Sequence, residues 1–205
     1  RGIKAILAMT DVYNTSFHPA GDDSYYVQQP SGWTLLDDSW FAGGYENNYL
    51  PWVKQAVTQL KGHSAIFAWE LGNELTDIKN PNNIISFAED VAAEIKAIDP
   101  HHMVTTGFLS IDHTQIGVEA GVNLYENPNF DFITVHSYNG EDPIQNLAVS
   151  ARVEKPIVME EYGWARDNGD RVAETQQMLG KWFDERHVDG FMNWGFSAPN
   201  YDNGD

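Results

Sequence analysis

Residues 66–71 form a short apolar run that stops abruptly at Gly72-Asn73-Glu74. A buried parallel strand whose C-terminal end opens into a site has this pattern. It recurs along the chain. Residues 3–9 run into Thr10-Asp11, residues 101–107 end at a glycine, and residues 130–135 arrive at His136-Ser137-Tyr138. Residues 156–160 break into carboxylates at Glu160-Glu161, and residues 190–194 end at Gly195-Phe196. Between these runs the apolar period changes to that of a helix. Leu50, Val53, Val57 and Leu60 mark residues 48–62, and Ile84, Phe87, Ala88, Val91, Ala92 and Ile95 mark residues 83–97. Ile144, Leu147 and Ala151 mark residues 143–153, while Met178, Leu179, Trp182 and Phe183 mark residues 171–187. Strand and helix alternate, with no hairpin signal between strands, which predicts a parallel sheet with right-handed crossovers.

The polar groups gather after the strands, as in a (β/α) barrel of the TIM type, whose working face is built from the βα loops. The class is therefore α/β, with residues 1–205 as a single catalytic domain. Six strands are counted where a closed barrel has eight, so the barrel is expected to be incomplete, with exposed edges that invite pairing into a homodimer. Residues 12–44 stand apart as a long polar and aromatic stretch. Segments of this length are usually functional or disordered, and the aromatic content favours a binding loop.

Composition narrows the chemistry. The formal charge is −18 at pH 7, which repels phosphate backbones and anionic lipid and leaves a neutral substrate as the better partner. No run of 18 apolar residues predicts a membrane span. Arg1-Gly2-Ile3-Lys4 lacks the layout of a signal peptide, and the absence of cysteine excludes thiolate chemistry. The aromatic content, with 7 Trp, 9 Tyr and 10 Phe, exceeds ordinary core needs and suits stacking on sugar rings. Glu74 and Glu161, each at the end of a buried strand and three strand steps apart, form the pair of acids that cleavage of a glycosidic bond requires. Glu160 is an alternative to Glu161, because strand alternation alone does not separate neighbours. The same alternation demands a bend or bulge if Asn73 and Glu74 are both to serve the mouth. Glu70 sits inside its strand and reads as structural, needing a partner if buried. Asp11 and Asn14, after the first strand, are candidate substrate contacts. Asp167-Asn168-Gly169-Asp170 recurs as residues 202–205 and reads as a turn rather than a calcium site.

Trp69-Glu70-Leu71-Gly72-Asn73-Glu74 resembles the fourth-strand motif of clan A retaining glycosidases, and Glu161-Tyr162-Gly163 their seventh-strand nucleophile motif. His136-Ser137-Tyr138 is similar to the sixth-strand His-x-Tyr of glycoside hydrolase family 5, and Asn193-Trp194-Gly195 to its eighth strand. Residues 66–74 and 155–163 are most similar to endo-β-mannanases of that family. The resemblance implies Glu74 as general acid/base and Glu161 as nucleophile. It implies that Asn73 hydrogen-bonds the sugar 2-hydroxyl, that His136 orients the sugar or the acid, that Tyr138 hydrogen-bonds the nucleophile and that Trp194 stacks on the sugar. It implies a retaining hydrolase of a neutral β-linked polysaccharide such as mannan or glucan, working without metal or cofactor and secreted or extracellular. Against the family pattern, the first two βα units and the arginine after the second strand have no counterpart. A carbohydrate-binding chain with little turnover therefore stands beside the enzyme reading, and a metallohydrolase using Glu74, His136 and Glu161 is a third.

Overall fold

The computed structural model describes residues 2–14, 18–77, 79–138, 141–163, 170–185 and 187–194. Its elements run β1 (Ala5–Ala8), β2 (Tyr26–Gln28), β3 (Thr34–Leu36), α1 (Asp38–Phe41), α2 (Tyr49–Leu60), β4 (Ile66–Glu70), α3 (Pro81–Ile98) and β5 (Met103–Thr105). They continue α4 (Ile111–Thr114), α5 (Gly117–Glu126), β6 (Ile133–Tyr138), α6 (Ile144–Val153), β7 (Ile157–Gly163), α7 (Arg171–Leu179) and β8 (Gly190–Asn193). Strands pair in the orders β1-β4-β5 and β6-β7-β8, all parallel. The seam between β5 and β6 is closed by separate bonds. Asp131 N donates to Val104 O at 2.9 Å, the Asp131 carboxylate accepts from Val104 N at 2.8 Å, and Thr105 Oγ1 donates to Phe132 O at 3.0 Å. Six strands thus make an incomplete (β/α) barrel with every C-terminal end on one face. No described helix is long and apolar enough to cross a membrane.

The helices form where the apolar period places them. α3 starts with Pro81 in its first turn, where a missing N–H costs nothing, and buries all six expected residues from Ile84 to Ile95. It stops at Asp99, whose carboxylate accepts from Trp69 Nε1 at 2.9 Å and from the His101 and His102 backbones, so the outward face of β4 is locked to the end of α3.

Four expectations are corrected. Residues 12–44 contain an antiparallel hairpin, β2 with β3, where no hairpin was expected. Its aromatics divide: Trp40 and Phe41 are fully buried and pack with Tyr45, Tyr49 and Phe87, while Trp33 is 58% exposed. The end of the stretch therefore joins the core, through residues that apolar periodicity could not see in so short a helix. A helix, α5, stands between β5 and β6. In α6 the inward positions are Asn146 and Val149 rather than Ile144 and Ala151. The Asn146 amide bridges Ile111 N (3.0 Å) and Thr134 O (3.1 Å), a polar anchor that an apolar count ignores. The last helix loosens into a π-turn over Gly180–Glu185, which buries Trp182 and turns Phe183 outward. Gly195, Phe196 and the repeated Asp-Asn-Gly segments, apart from Asp170, lie outside the described residues.

Candidate active site

The end of β1 is stitched to the segment beyond β4. Asp11 and Asn73 form a parallel bridge, with Asn73 N donating to Thr10 O at 2.8 Å and Val12 N to Asn73 O at 3.0 Å. One Asp11 carboxylate oxygen accepts from Tyr13 N (3.0 Å) and from the Asn73 amide (3.4 Å), so Asp11 holds protein groups in place. The next residue, Glu74, has φ 53°. A non-glycine residue there is uncommon and costs on the order of 1–3 kcal/mol. This is the bend that strand alternation demanded between Asn73 and Glu74.

Behind the bend sits Gly107, at φ +70°. A Cβ on it would meet Gly72 O at 2.0 Å and the Glu70 carboxylate at 2.5 Å, so the ends of β4 and β5 approach only because this residue has no side chain. Leu75 N donates to Gly107 O at 3.2 Å and secures the far side.

Across the mouth, β7 carries a bulge. Val135 registers with Met159 but His136 with Glu161, so Glu160 is the extra residue. The bulge separates the two neighbouring acids. Glu160 is buried, and neither of its carboxylate oxygens has a hydrogen-bond partner among the described residues. Glu161 turns to the mouth, where Tyr138 Oη donates to it. One oxygen each of Glu74 and Glu161 and a ring nitrogen of His136 lie within 4.8 Å of one another.

His136 meets both acids through Nδ1, at 2.9 Å from Glu74 Oε1 and 3.4 Å from Glu161 Oε2. Tyr13 Oη donates to the other Glu74 oxygen at 2.5 Å. Trp194 N donates to Tyr162 O at 2.8 Å, and its ring stands edge-on to Tyr138 at 6.2 Å, 39% exposed. Glu74, Glu161, His136 and Tyr138 are thus brought into one hydrogen-bonded group. Trp194 flanks it on the β8 side, and Asn73 is held by Asp11 on the β1 side. Asn14 is exposed. Tyr13 was not singled out from the sequence. Its segment carries no motif, and only its place just after a barrel strand could have drawn attention to it.

Charge in this group is unevenly shared. Burial pushes the Glu74 carboxyl up, but hydrogen bonds from His136 and Tyr13 outweigh it and hold the pKa below the usual range. Burial also pushes Glu161 up; the His136 charge and Tyr138 oppose this incompletely, and its pKa is raised. Burial would lower His136, yet the bond to Glu74 and the charges of Glu161, Glu74 and Glu70 raise it. Glu70, buried near the same acids, is pushed up to about 7, and Glu160 rises well above its ordinary value through burial and the charges of Glu70 and Glu161. Two carboxylates and an imidazole are also ligand types that a divalent cation accepts.

A cavity of about 220 Å³ opens beside His136, lined among others by Ser110, His113, Asp142 and Pro143.

The family model for cellulases, glycosyl hydrolase family 5, matches residues 1–199. The chain belongs to glycosyl hydrolase family 5. Family 5 relatives include the probable mannan endo-1,4-beta-mannosidase C of Aspergillus terreus, 30% identical over 194 residues, a match that spans 80% of this chain and 47% of that protein. Mannan endo-1,4-beta-mannosidase A of Podospora anserina is 29% identical over 187 residues, spanning 82% and 48%. The chain spans about half the length of these curated relatives. In fold it is similar to the endo-1,4-beta-mannanase of Rhizomucor miehei, with TM-score 0.67 and 18% identity over 82% of this chain and 58% of that one. The endo-beta-1,4-mannanase of Thermotoga petrophila gives TM-score 0.62 at 20% identity, over 82% and 46%.

Proposed function

We propose that this chain is a retaining β-glycosidase acting on a neutral β-linked polysaccharide, with β-mannan ahead of β-glucan. The observation that carries the reading is the approach of one carboxylate oxygen of Glu74 and one of Glu161 to within 4.8 Å, with His136 Nδ1 in reach of both. Retaining enzymes hold their carboxyl groups roughly 5–5.5 Å apart, whereas inverting ones need roughly 6.5–9.5 Å to admit a water. Mannan is placed first because several relatives carry the name mannan endo-1,4-beta-mannosidase.

In this mechanism Glu161 attacks the anomeric carbon while Glu74 gives its proton to the departing oxygen. The C–O bond to the leaving sugar breaks and an ester to Glu161 forms. Glu74, now a carboxylate, takes a proton from water, which releases the ester with net retention. Tyr138 and His136 stabilise the ionised Glu161, and Asn73 and Trp194 are assigned to the 2-hydroxyl and the face of the sugar.

One observation favours a second reading, a sugar-binding chain with little turnover. In the substrate-free site Glu74 is held ionised and Glu161 is pushed toward its protonated form, the reverse of what the first step needs. His136 is the one cationic partner within ion-pair distance of Glu161 among the described residues.

Glu74→Gln and Glu161→Gln, assayed with the parent on mannan, glucan and nitrophenyl glycosides, separate the readings. The enzyme reading expects Glu74→Gln to lose about 10²–10⁴-fold on polysaccharide, with Glu161→Gln losing at least as much. Undiminished turnover in either variant rejects the mechanism. A parent that binds oligosaccharide without hydrolysing it supports the second reading.

A further inference from the structure

We propose that Tyr13 is a positioning residue for Glu74: its phenol holds the mouth-side oxygen of the carboxylate and yields that oxygen to the leaving group when a sugar is bound. The role rests on Glu74 acting as the acid/base.

Each Glu74 oxygen has its own donor. Oε1 is taken by His136 Nδ1 at 2.9 Å and Oε2 by Tyr13 Oη at 2.5 Å. His136 is 3% exposed and wedged between the acids, so the oxygen it holds faces inward. Tyr13 is half-buried and reaches in from the segment joining β1 to the β2–β3 hairpin, so the oxygen it holds is the one a ligand can reach. The phenol is itself held in place. Tyr13 N is bound to the Asp11 carboxylate (3.0 Å), the residue bridges Leu35 of β3, and its ring meets the exposed Trp33 ring at 5.2 Å. A donor fixed this firmly on one oxygen stabilises the charged form of the acid.

The groups that act electrostatically on Glu74 or its donors come from every neighbouring element. They are Tyr13 and Asp11 from the end of β1, Glu70 from β4, His113 after β5, His136 from β6 and Glu161 from β7. Among the described residues only Tyr13 and His136 donate side-chain hydrogen bonds to Glu74, so removing either raises the Glu74 pKa. His136 also touches Glu161, whereas the Tyr13 hydroxyl is bonded to Glu74 alone among the described residues. Tyr13 is thus the cleaner handle. During turnover it keeps its own proton. It releases Oε2 as the Glu74 proton passes to the departing oxygen, then donates again to the carboxylate that must activate water.

The test is a ¹³C-carboxyl NMR titration of Glu74 in the full chain, parent against Tyr13→Phe, alongside pH profiles of kcat/KM. Loss of one charge-assisted hydrogen bond should raise the Glu74 midpoint by about one pH unit. The alkaline limb on an oligosaccharide should move up equally, because Glu74 must be protonated in the free enzyme. The limb on a dinitrophenyl glycoside, whose leaving group needs no proton, should stay in place. Replacing Tyr13 with 3,5-difluorotyrosine, a stronger donor of the same size, should move the midpoint the other way, a sign that misfolding would not mimic. An unmoved Glu74 midpoint in both variants overturns the proposal. The NMR readout does so even for a chain without turnover, whereas a shifted midpoint with no hydrolysis by the parent rejects the acid/base reading while leaving the Tyr13 contact intact.

Discussion

Glu70 and Glu160 are buried acids that the proposed chemistry does not use. Neither Glu160 oxygen has a hydrogen-bond partner among the described residues, and Glu70 lies against Gly107. A carboxyl in this setting is neutral when folded and ionised when unfolded, so the folded state binds the extra proton. Glu70, pushed up to about 7, costs nothing below its unfolded pKa near 4.5 and destabilises progressively as pH rises toward 7. The loss attached to Glu70 is on the order of 3 kcal/mol by pH 7. We therefore expect the urea midpoint to fall between pH 4.5 and 7, and Glu70→Gln to flatten that slope. A slope unchanged in the variant contradicts the assignment. The sequence showed that Glu70 lay inside a strand and needed a partner. It could not show that His136 and two further acids would act on it, because that depends on which strands close around it.

Among the elements, the barrel strands and their crossover helices, α5 excepted, were readable because each buries a face with a fixed period. α3 is the clearest case, its six inward residues all identifiable from 3.6-residue spacing. What escaped was structure made by single polar or backbone devices. The Asn146 bridge reset the buried face of α6, the π-turn redirected Phe183, and a three-residue strand pair formed inside what read as one long loop. The bulge on β7 belongs here too. It decides which of Glu160 and Glu161 faces the mouth, and only the register with β6 reveals it. Gly107 is the tightest of these devices, with positive φ and backbone 2.0 Å from where a Cβ would stand. Gly107→Ala should therefore cost about 2–3 kcal/mol or more and displace the segment carrying Glu74, lowering both the thermal midpoint and turnover. A variant as stable and as active as the parent would show that the approach of β4 and β5 is not needed.

At the scale of the whole molecule, six parallel strands among the described residues gather their C-terminal ends on one face and bring Glu74, His136, Tyr138 and Glu161 together there. The convergence across the arc joins the fold to the proposed chemistry, since Glu74 comes from one three-stranded sheet and Glu161 from the other. In the proposed chemistry neither acid works alone: one supplies a proton, the other a covalent bond. The most direct measurement is therefore to trap that bond. The parent is incubated with a 2-deoxy-2-fluoro-β-mannosyl donor bearing a dinitrophenyl leaving group, digested, and its peptides mapped by mass spectrometry. The account expects one sugar per chain, attached to Glu161, with labelling abolished in Glu161→Gln. A label on Glu160, or steady hydrolysis of mannan with no labelled carboxylate, would contradict it.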